Sequence, residues 1–469
     1  MNSSLYDSYK TLRVFEAFAG YGSQSIALRN LGVPYEVVGI SEIDIDAIIA
    51  YATINGININ KDVKFLDKAL DKVEKMGIGF NFKTGKSKIP KLNRVKKKQL
   101  ANASEGVNNL GDISKLKVED IPQHDLFTYS FPCQDISVAG KQAGIEKGQT
   151  RSGLLYECER IIEHCKPKYL LMENVKNLVG KKFKTQFDEW LEYLEELGYT
   201  NYWKVLNAKD YGVPQNRERV FCISILGEHE PYKFPQPIKL NKAIKDILED
   251  EVEEKYYLSD ERLMKIYNWK AYQRPLERVL GKKSICPTLT ARGAGEWHSG
   301  MITLSDDFEG TTNVDKIICE QRSDEGLRFF KKDVCGTIRT KDSGGDKRVI
   351  EGSQVTRQDL CRVERMPLKF LNRNGKQTGE DYAFCVDTCH TGGIKEVYEN
   401  NDFRIRKLTP RECFRLMGMN DCDIDKIQQT GISNSQQYKL AGNSIVVNVL
   451  EAIFRNLFVG KDEHQTPSE

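Results

Sequence analysis

A doubly wound α/β fold with a β-rich insertion before its last helix is what this sequence predicts, on three observations. Strand-like apolar runs alternate with helix-like segments as far as about residue 228. A glycine turn after the first run opens a βαβ unit whose second strand ends in an acid. Beyond Gly227 the pattern gives way to short Thr-rich β-like runs and returns to helix only near the end. Such alternation makes a mostly parallel sheet with helices on both faces.

Residues 12–18 form the first strand and run into Ala19-Gly20-Tyr21-Gly22-Ser23. A helix follows, with Ser25, Ile26, Ala27 and Leu28 near its start, and then a second strand, 35–40, ending at Ser41-Glu42-Ile43-Asp44. Gly20 and Gly22 alone fit a plain tight turn equally well. The acid some twenty positions on shifts the reading toward a nucleoside ligand. Glycine backbone N–H groups can approach a carboxylate or phosphate, and the acid can accept both ribose hydroxyls.

Lys83, Lys86, Lys88, Lys91, Arg94, Lys96, Lys97 and Lys98 fall in a stretch without an acid. With Gly85 and Pro90 it reads as an exposed basic insertion at about 81–105, a solvated loop ahead of a dedicated nucleic-acid contact. Asn109-Leu110-Gly111-Asp112-Ile113 looks like another strand-end turn with an exposed acid.

The strand 126–130 closes on Phe131-Pro132-Cys133-Gln134, and the strand 169–172 closes on Glu173-Asn174-Val175. Two strand ends thus present a thiol and a carboxyl on loops, where parallel α/β sheets collect their active residues. That pair suits attack on an electron-poor ring that must be protonated as it is attacked. A lone cysteine is more often a buried thiol; Pro132 and the second strand's acid favour catalysis here.

Helices at about 155–165 and 185–197, the latter stopped by Gly198, flank that second strand. Strands at 202–206 and 219–225 bracket Tyr211-Gly212-Val213-Pro214-Gln215-Asn216-Arg217-Glu218. Pro231, Pro235 and Pro237 then mark a linker. Cys286-Pro287-Thr288-Leu289, Cys335-Gly336-Thr337-Ile338 and, more loosely, Cys385-Val386-Asp387-Thr388 echo one another, as a weak repeat or as chance likeness of short strands. Cys385-x-x-x-Cys389-His390 lacks a second spaced pair, so no metal is expected. Thr409 caps a helix that starts at Pro410, carries Glu412 in its first turn and stops at Gly418. Leu440-Ala441-Gly442-Asn443-Ser444-Ile445-Val446 opens a final helix through Leu457.

The composition is that of a globular protein inside the cell. Of 469 residues, 39% are hydrophobic and 29% charged, values that call for no special class. No run approaches the roughly 20 apolar residues of a membrane span, and the N-terminus lacks the basic and apolar regions of a signal peptide. Twelve cysteines spread over this length make no compact disulfide framework. A net charge of +3 favours a polyanionic partner only mildly. The expected location is the cytoplasm, with the nucleoid.

In order, the motifs resemble those of the DNA cytosine-5 methyltransferases. Phe18-Ala19-Gly20-Tyr21-Gly22 is similar to the cofactor motif, Phe131-Pro132-Cys133-Gln134 to the nucleophile motif and Glu173-Asn174-Val175 to the acid motif. Gln215-Asn216-Arg217-Glu218-Arg219 resembles the Gln-x-Arg-x-Arg motif. Arg406-Lys407-Leu408-Thr409-Pro410-Arg411-Glu412 and Gly442-Asn443-Ser444 resemble the last two. The resemblance covers 12–225 and 404–457, and the length is similar to that of bacterial and phage members. Ser23 stands where many members have a third small glycine, and the basic insertion is not part of the core pattern.

The resemblance implies a Rossmann-like S-adenosylmethionine domain at 1–228, completed by 434–460. A target-recognition domain at 229–433 and a disordered tail at 461–469 make up the rest. It implies that Cys133 adds to C6 of a flipped-out cytosine, making C5 a nucleophile toward a methyl sulfonium. Glu173 assists at N3, Arg219 holds O2, Arg217 supports the site, and Asn174 orients the loop and reads the amine side. A base acting through water then removes the C5 proton, and elimination frees Cys133.

Cofactor contacts are implied for Phe18, Gly20, Tyr21, Gly22, Glu42, Ile43, Asp112, Ile113, Pro132, Asn443 and Ser444. The glycine-bearing loop after Cys133 is expected to close over the base. Gln134, Ser137, Lys141 and Arg151 would contact DNA from that loop, and Arg292 and Arg339 from the recognition domain. The implied partners are double-stranded DNA and a cognate restriction endonuclease, for a monomer without membrane attachment.

A tRNA cytosine-5 methyltransferase shares this chemistry and stays open here, although the large middle region favours DNA. An idle DNA-binding regulator is opposed by intact Cys133, Glu173 and Arg219. An amine methyltransferase would need an Asn/Asp-Pro-Pro-aromatic motif, which Phe131-Pro132-Cys133-Gln134 does not supply.

Overall fold

The computed structural model describes residues 10–82, 84–132, 152–242, 244–257 and 403–460, with short strands between 285 and 352. The chain divides into two compact units: Met1–Lys242 with Thr337–Ser343 and Pro410–Glu469, and Ala243–Gly336 with Gly344–Thr409.

The first unit is built on a six-stranded sheet in the order β2-β1-β5-β6-β9-β7. Its strands are β1 (Leu12–Ala17), β2 (Tyr35–Ser41), β5 (Leu126–Tyr129), β6 (Tyr169–Val175), β7 (Tyr199–Asn207) and β9 (Glu218–Leu226). Side chains alternate along β1. Phe15 and Ala17 join Phe127, Tyr129, Leu170 and Met172 in the core beneath α5 (Leu155–Cys165) and α6 (Lys184–Glu196). Glu16 takes the opposite face, toward Ser25 of α1 (Ser23–Asn30) and Tyr51 of α2 (Ile45–Ile54). Helices therefore cover both faces, as expected of a doubly wound sheet. The strands β2, β1, β5 and β6 are parallel. β9 departs from the expected pattern by running antiparallel to both β6 and β7. The link from β7 to β9 holds only a 3-10 turn and the two-residue strand β8 (Gln215–Asn216). A parallel return would need a longer crossover.

Between β2 and β5 lie α2, α3 (Leu66–Lys75), a hairpin of β3 (Phe80–Asn81) and β4 (Lys86–Ser87), and α4 (Arg94–Gly106). The basic stretch is thus not a loop throughout, because α4 buries Leu100, Ala101 and Ala103. Asn93 caps α4 by accepting from the Lys96 N–H at 2.8 Å.

Two C-terminal expectations are also corrected. The first unit resumes at Pro410, not at 434. α7 (Pro410–Arg415) and α8 (Asp421–Gln429) belong to it, and Asp423 of α8 pairs with Arg29 of α1. Gly418, at φ +78°, ends the turn after α7 as expected. Residues 440–443 close a helix rather than open one: α9 (Asn434–Asn443) stops where Ser444 turns extended, and α10 (Val447–Phe454) starts anew and packs on α1.

In the second unit a five-stranded sheet is made by Ile302–Thr303, Gly326–Phe330, Lys316–Arg322, Lys347–Gly352 and Phe403–Lys407, in that order. Among the described residues no helix is long and apolar enough to cross a membrane.

Candidate active site

The ends of β5 and β6 are tied together by one side chain. Asn174 is buried; its Nδ2 donates to the Phe131 carbonyl oxygen at 3.1 Å, and its Oδ1 accepts from the Val175 N–H at 2.9 Å. Its amide therefore fixes the chain two residues before Cys133. Phe131 is buried and Pro132 half-buried beside it.

Next to this anchor, Arg219 lies opposite Val175, and Glu173 lies opposite Phe221. Glu173 and Arg219 are thus diagonal neighbours on one face of the sheet, within reach for long side chains. Arg219 Nε sits 3.1 Å from Glu173 Oε1, with the side chains only 16% and 10% exposed. Arg217 is buried and points elsewhere, donating through Nη2 to the carbonyl oxygens of Ser444, 2.6 Å, and Gly442, 3.3 Å. Gln215 Nε2 donates to the Leu416 carbonyl oxygen at 2.5 Å. The Gln-x-Arg-x-Arg stretch therefore divides its work. Gln215 and Arg217 hold the C-terminal segment, and Arg219 meets the acid.

At the neighbouring end of β1 the backbone is strained open. Phe18, at φ +55°, occupies the left-handed region, a conformation costing a non-glycine residue about 1–3 kcal/mol. Gly22 has φ +87°, and a Cβ there would lie 2.7 Å from the Tyr51 ring. The Gly20 N–H donates to Glu42 Oε2 at 2.9 Å, while Glu42 Oε1 accepts from the Ile43 and Asp44 N–H groups at 2.8 Å each. Burial, then the nearby Asp44 charge, pushes the Glu42 carboxyl above the usual range, against the pull of those three donors. Asp112, expected to be exposed, is buried; its Oδ1 accepts from the Ser114 N–H at 3.0 Å and the Ser114 hydroxyl at 2.8 Å. Ile113 is a core residue. Ser444 approaches the turn: a Cβ on Gly20 would sit 3.8 Å from its Oγ. Asn443 is exposed, and the Tyr21 side chain is committed to the core, edge-on to Phe414.

Two contributors escaped sequence reasoning. Asn109 is buried; it accepts from the Glu42 N–H at 3.2 Å and donates to the Glu42 carbonyl oxygen at 3.0 Å, pinning the first acid beside the Asp112 turn. Asp44 pairs with Lys439 of α9. Burial alone would raise the Asp44 carboxyl, but Lys439 brings it below the usual range. An Asn two residues before Gly111 at a strand end was the available signal for the first; nothing local marks the second.

Cys133, Gln134, Ser137, Lys141, Arg151 and Arg292 lie outside the described residues, as do the Cys385 echo and the 461–469 tail. Arg339 falls within the strand Val334–Thr340.

Comparison with protein-family models matches residues 96–459 to the C-5 cytosine-specific DNA methylases. The Type II methyltransferase M2.ScrFI of Lactococcus lactis subsp. cremoris is 38% identical over 95% of this chain and 99% of its own. The chain belongs to the C-5 cytosine-specific DNA methylases. It is a DNA (cytosine-5-)-methyltransferase, with DNA as its substrate class. The orphan methyltransferase M.SPBetaI of Bacillus phage SPbeta is 30% identical over 95% of this methylase and 97% of its own length. A mutant of Spodoptera frugiperda DNMT2 shares the fold, with a TM-score of 0.50 over 96% of this chain and 100% of its own at 17% identity.

Under the glycine turn, this methylase keeps a carboxyl that its chemistry does not call for. Glu16 is fully buried, and neither of its oxygens makes a well-formed hydrogen bond. Burial pushes it up to about 8 from 4.5. The folded state thus holds a proton that the unfolded chain has released. The stability this proton contributes is complete below pH 4.5 and is lost at about 1.4 kcal/mol per unit as pH rises toward 8. Glu16→Gln is therefore expected to gain stability over the wild type between pH 6 and 8, with the gain levelling above 8. Urea unfolding of both proteins across pH 6–9 checks this; a constant difference would contradict it.

Proposed function

We propose that this enzyme transfers a methyl group from S-adenosylmethionine to C5 of a cytosine flipped out of duplex DNA, within one short sequence. The observation that carries the mechanism is the buried Glu173–Arg219 pair beside the Asn174 anchor of the nucleophile loop. A thiolate adding at C6 builds negative charge on the ring toward N3 and O2. A carboxyl and a guanidinium held together on one sheet face can serve those two atoms. Cys133 is the thiol assigned to C6, two residues along the chain from the Phe131 that Asn174 holds.

The donor's sulfonium would supply an electrophilic methyl group. The cradle fits it: at Gly20, φ +59°, a Cβ would meet only Ser444 Oγ at 3.8 Å, which leaves room for the methionine end, and Glu42 suits the ribose. Asp112, with only Oδ1 engaged by Ser114, keeps Oδ2 for the adenine amine, and Ser444 closes the turn. Arg217 acts through the Gly442–Ser444 backbone rather than on the base.

The loop 134–152 would close over the flipped base, with Gln134, Ser137, Lys141 and Arg151 on DNA. The second unit would read the sequence, with Arg292 among its contacts, and Arg339 would contact DNA from the Thr337–Ser343 segment grouped with the first unit. A monomer in the cytoplasm, working at the nucleoid, suffices, since one chain carries every motif. The Type II relative supports pairing with a restriction endonuclease, and the orphan phage relative supports solitary action.

Base-resolution 5-methylcytosine mapping of unmethylated plasmid treated with protein and S-adenosylmethionine tests the reading. Methylation at one short sequence is expected. No methylation by folded protein that binds S-adenosylmethionine would overturn it.

A further inference from the structure

We propose that the β3–β4 hairpin and the start of α4 form a second DNA-contact surface, gripping phosphates of the duplex that flanks the target site. The inference rests on the family's DNA substrate and adds a surface outside the residues assigned to the site.

Between Lys75 and Glu105 the sequence contains no acid. Lys86, Lys88, Lys91 and Arg94 are all exposed. Of the nearby carboxylates, Asp44 pairs with Lys439, Asp46 with Lys96 and Asp62 with Lys98, while Lys88 and Arg94 lie within electrostatic range of Asp44 and Asp62 without pairing directly. A face that only needs solvation carries mixed charge along a helix, whereas this one has a single sign. Phe80 and Phe82 are 36% and 53% exposed, with ring centroids 5.2 Å apart. Cations interleaved with exposed aromatics suit a nucleic-acid partner.

The placement agrees. The Gly79 N–H donates to the Ile43 carbonyl oxygen at 2.8 Å, and the Lys88 N–H donates to the Gly79 carbonyl oxygen at 3.0 Å. The hairpin is therefore rooted just past the C-terminal end of β2, on the sheet edge that bears Phe131 and Pro132. With β1 between β2 and β5, two strand spacings of about 4.8 Å separate the root from the nucleophile strand. That is roughly 10 Å, or about three base pairs at 3.4 Å each. Duplex seated over the nucleophile loop passes the patch within one helical turn.

The test compares wild type with a combined Lys86→Ala, Lys88→Ala, Lys91→Ala and Arg94→Ala variant. The probe is a fluorescent duplex of about 40 base pairs, titrated at several salt concentrations. All four side chains are exposed, and an unchanged thermal midpoint would show that the fold is kept. A second variant, Lys86→Glu with Arg94→Glu, makes the same comparison by charge reversal. Four lost phosphate contacts should flatten the plot of log affinity against log salt by roughly 3–4. KM should rise about tenfold with kcat unchanged, both on the long duplex and on one of about 12 base pairs centred on the mapped site, whose arms of about six base pairs still reach a patch about three base pairs away. A salt slope equal to wild type in both variants would overturn the proposal. The slope needs no turnover, so it stands apart from failure of the methylation reading, which would appear as no transfer to either duplex by wild type.

Discussion

Replacing Cys133 by alanine is expected to lower methyl transfer at least ~10⁴-fold, because removing a covalent nucleophile forfeits the whole two-step route. Serine should fare little better, since its hydroxyl is not ionised near neutral pH and has no base assigned to activate it. Three buried cysteines of the same unit cannot stand in. Burial pushes Cys158 well above the ordinary thiol range, Cys165 up to about 11 and Cys222 up to about 12, so none of the three offers a thiolate. Cys133→Ala should still bind duplex and S-adenosylmethionine. The decisive readout is trapping on a duplex with 5-fluorocytosine at the target. Elimination requires loss of the C5 proton, and fluorine there blocks it. Wild type should give an adduct that survives denaturant; Cys133→Ala should give none. Activity of the variant within tenfold of wild type would remove Cys133 from the mechanism.

What could be read in the sequence follows a physical division. β1, its glycine turn and the acid at the end of β2 were legible because each announces itself within a few residues: alternation, then glycines at Gly20 and Gly22 that take positive φ, then Glu42. Glu173 and Arg219 were legible singly, through their motifs. Their ion pair was not, because it depends on β9 running antiparallel to β6, which places Arg219 diagonal to Glu173. The helix break at Ser444 was hidden for the same reason. Its carbonyl oxygen accepts from Arg217, 227 positions away, and no local signal forces Ser444 out of the helix. α4 was obscured differently. Its cations dominate the composition, while its buried apolar residues are only Leu100, Ala101 and Ala103, with Val107 just beyond. Lys96 and Lys98 find acids on α2 and the loop after it, contacts that turn a charged stretch into a docked helix.

The Glu173–Arg219 pair leads to the second large effect. Glu173→Gln is expected to cut kcat about 10²–10⁴-fold, the usual span for losing a general acid or base, with KM nearly unchanged. Glutamine keeps the shape and an oxygen for Arg219 Nε, so the fold should hold, but it cannot pass a proton to N3. Arg219→Ala is a harsher change. It leaves Glu173, only 10% exposed on its side chain, without the guanidinium now 3.1 Å away. Stranding one member of a buried pair costs about 3–5 kcal/mol. A stability loss should therefore accompany its loss of activity, and not that of Glu173→Gln. If the two groups serve one transition state together, the double variant should be little slower than the worse single variant. The same assay separates the steps, because Glu173→Gln should slow formation of the 5-fluorocytosine adduct as strongly as it slows turnover. Adduct formation at the wild-type rate with slow turnover would place Glu173 after C6 attack, in methyl transfer or proton removal. Fully additive losses would mean that the ion pair is structural and that each group acts alone.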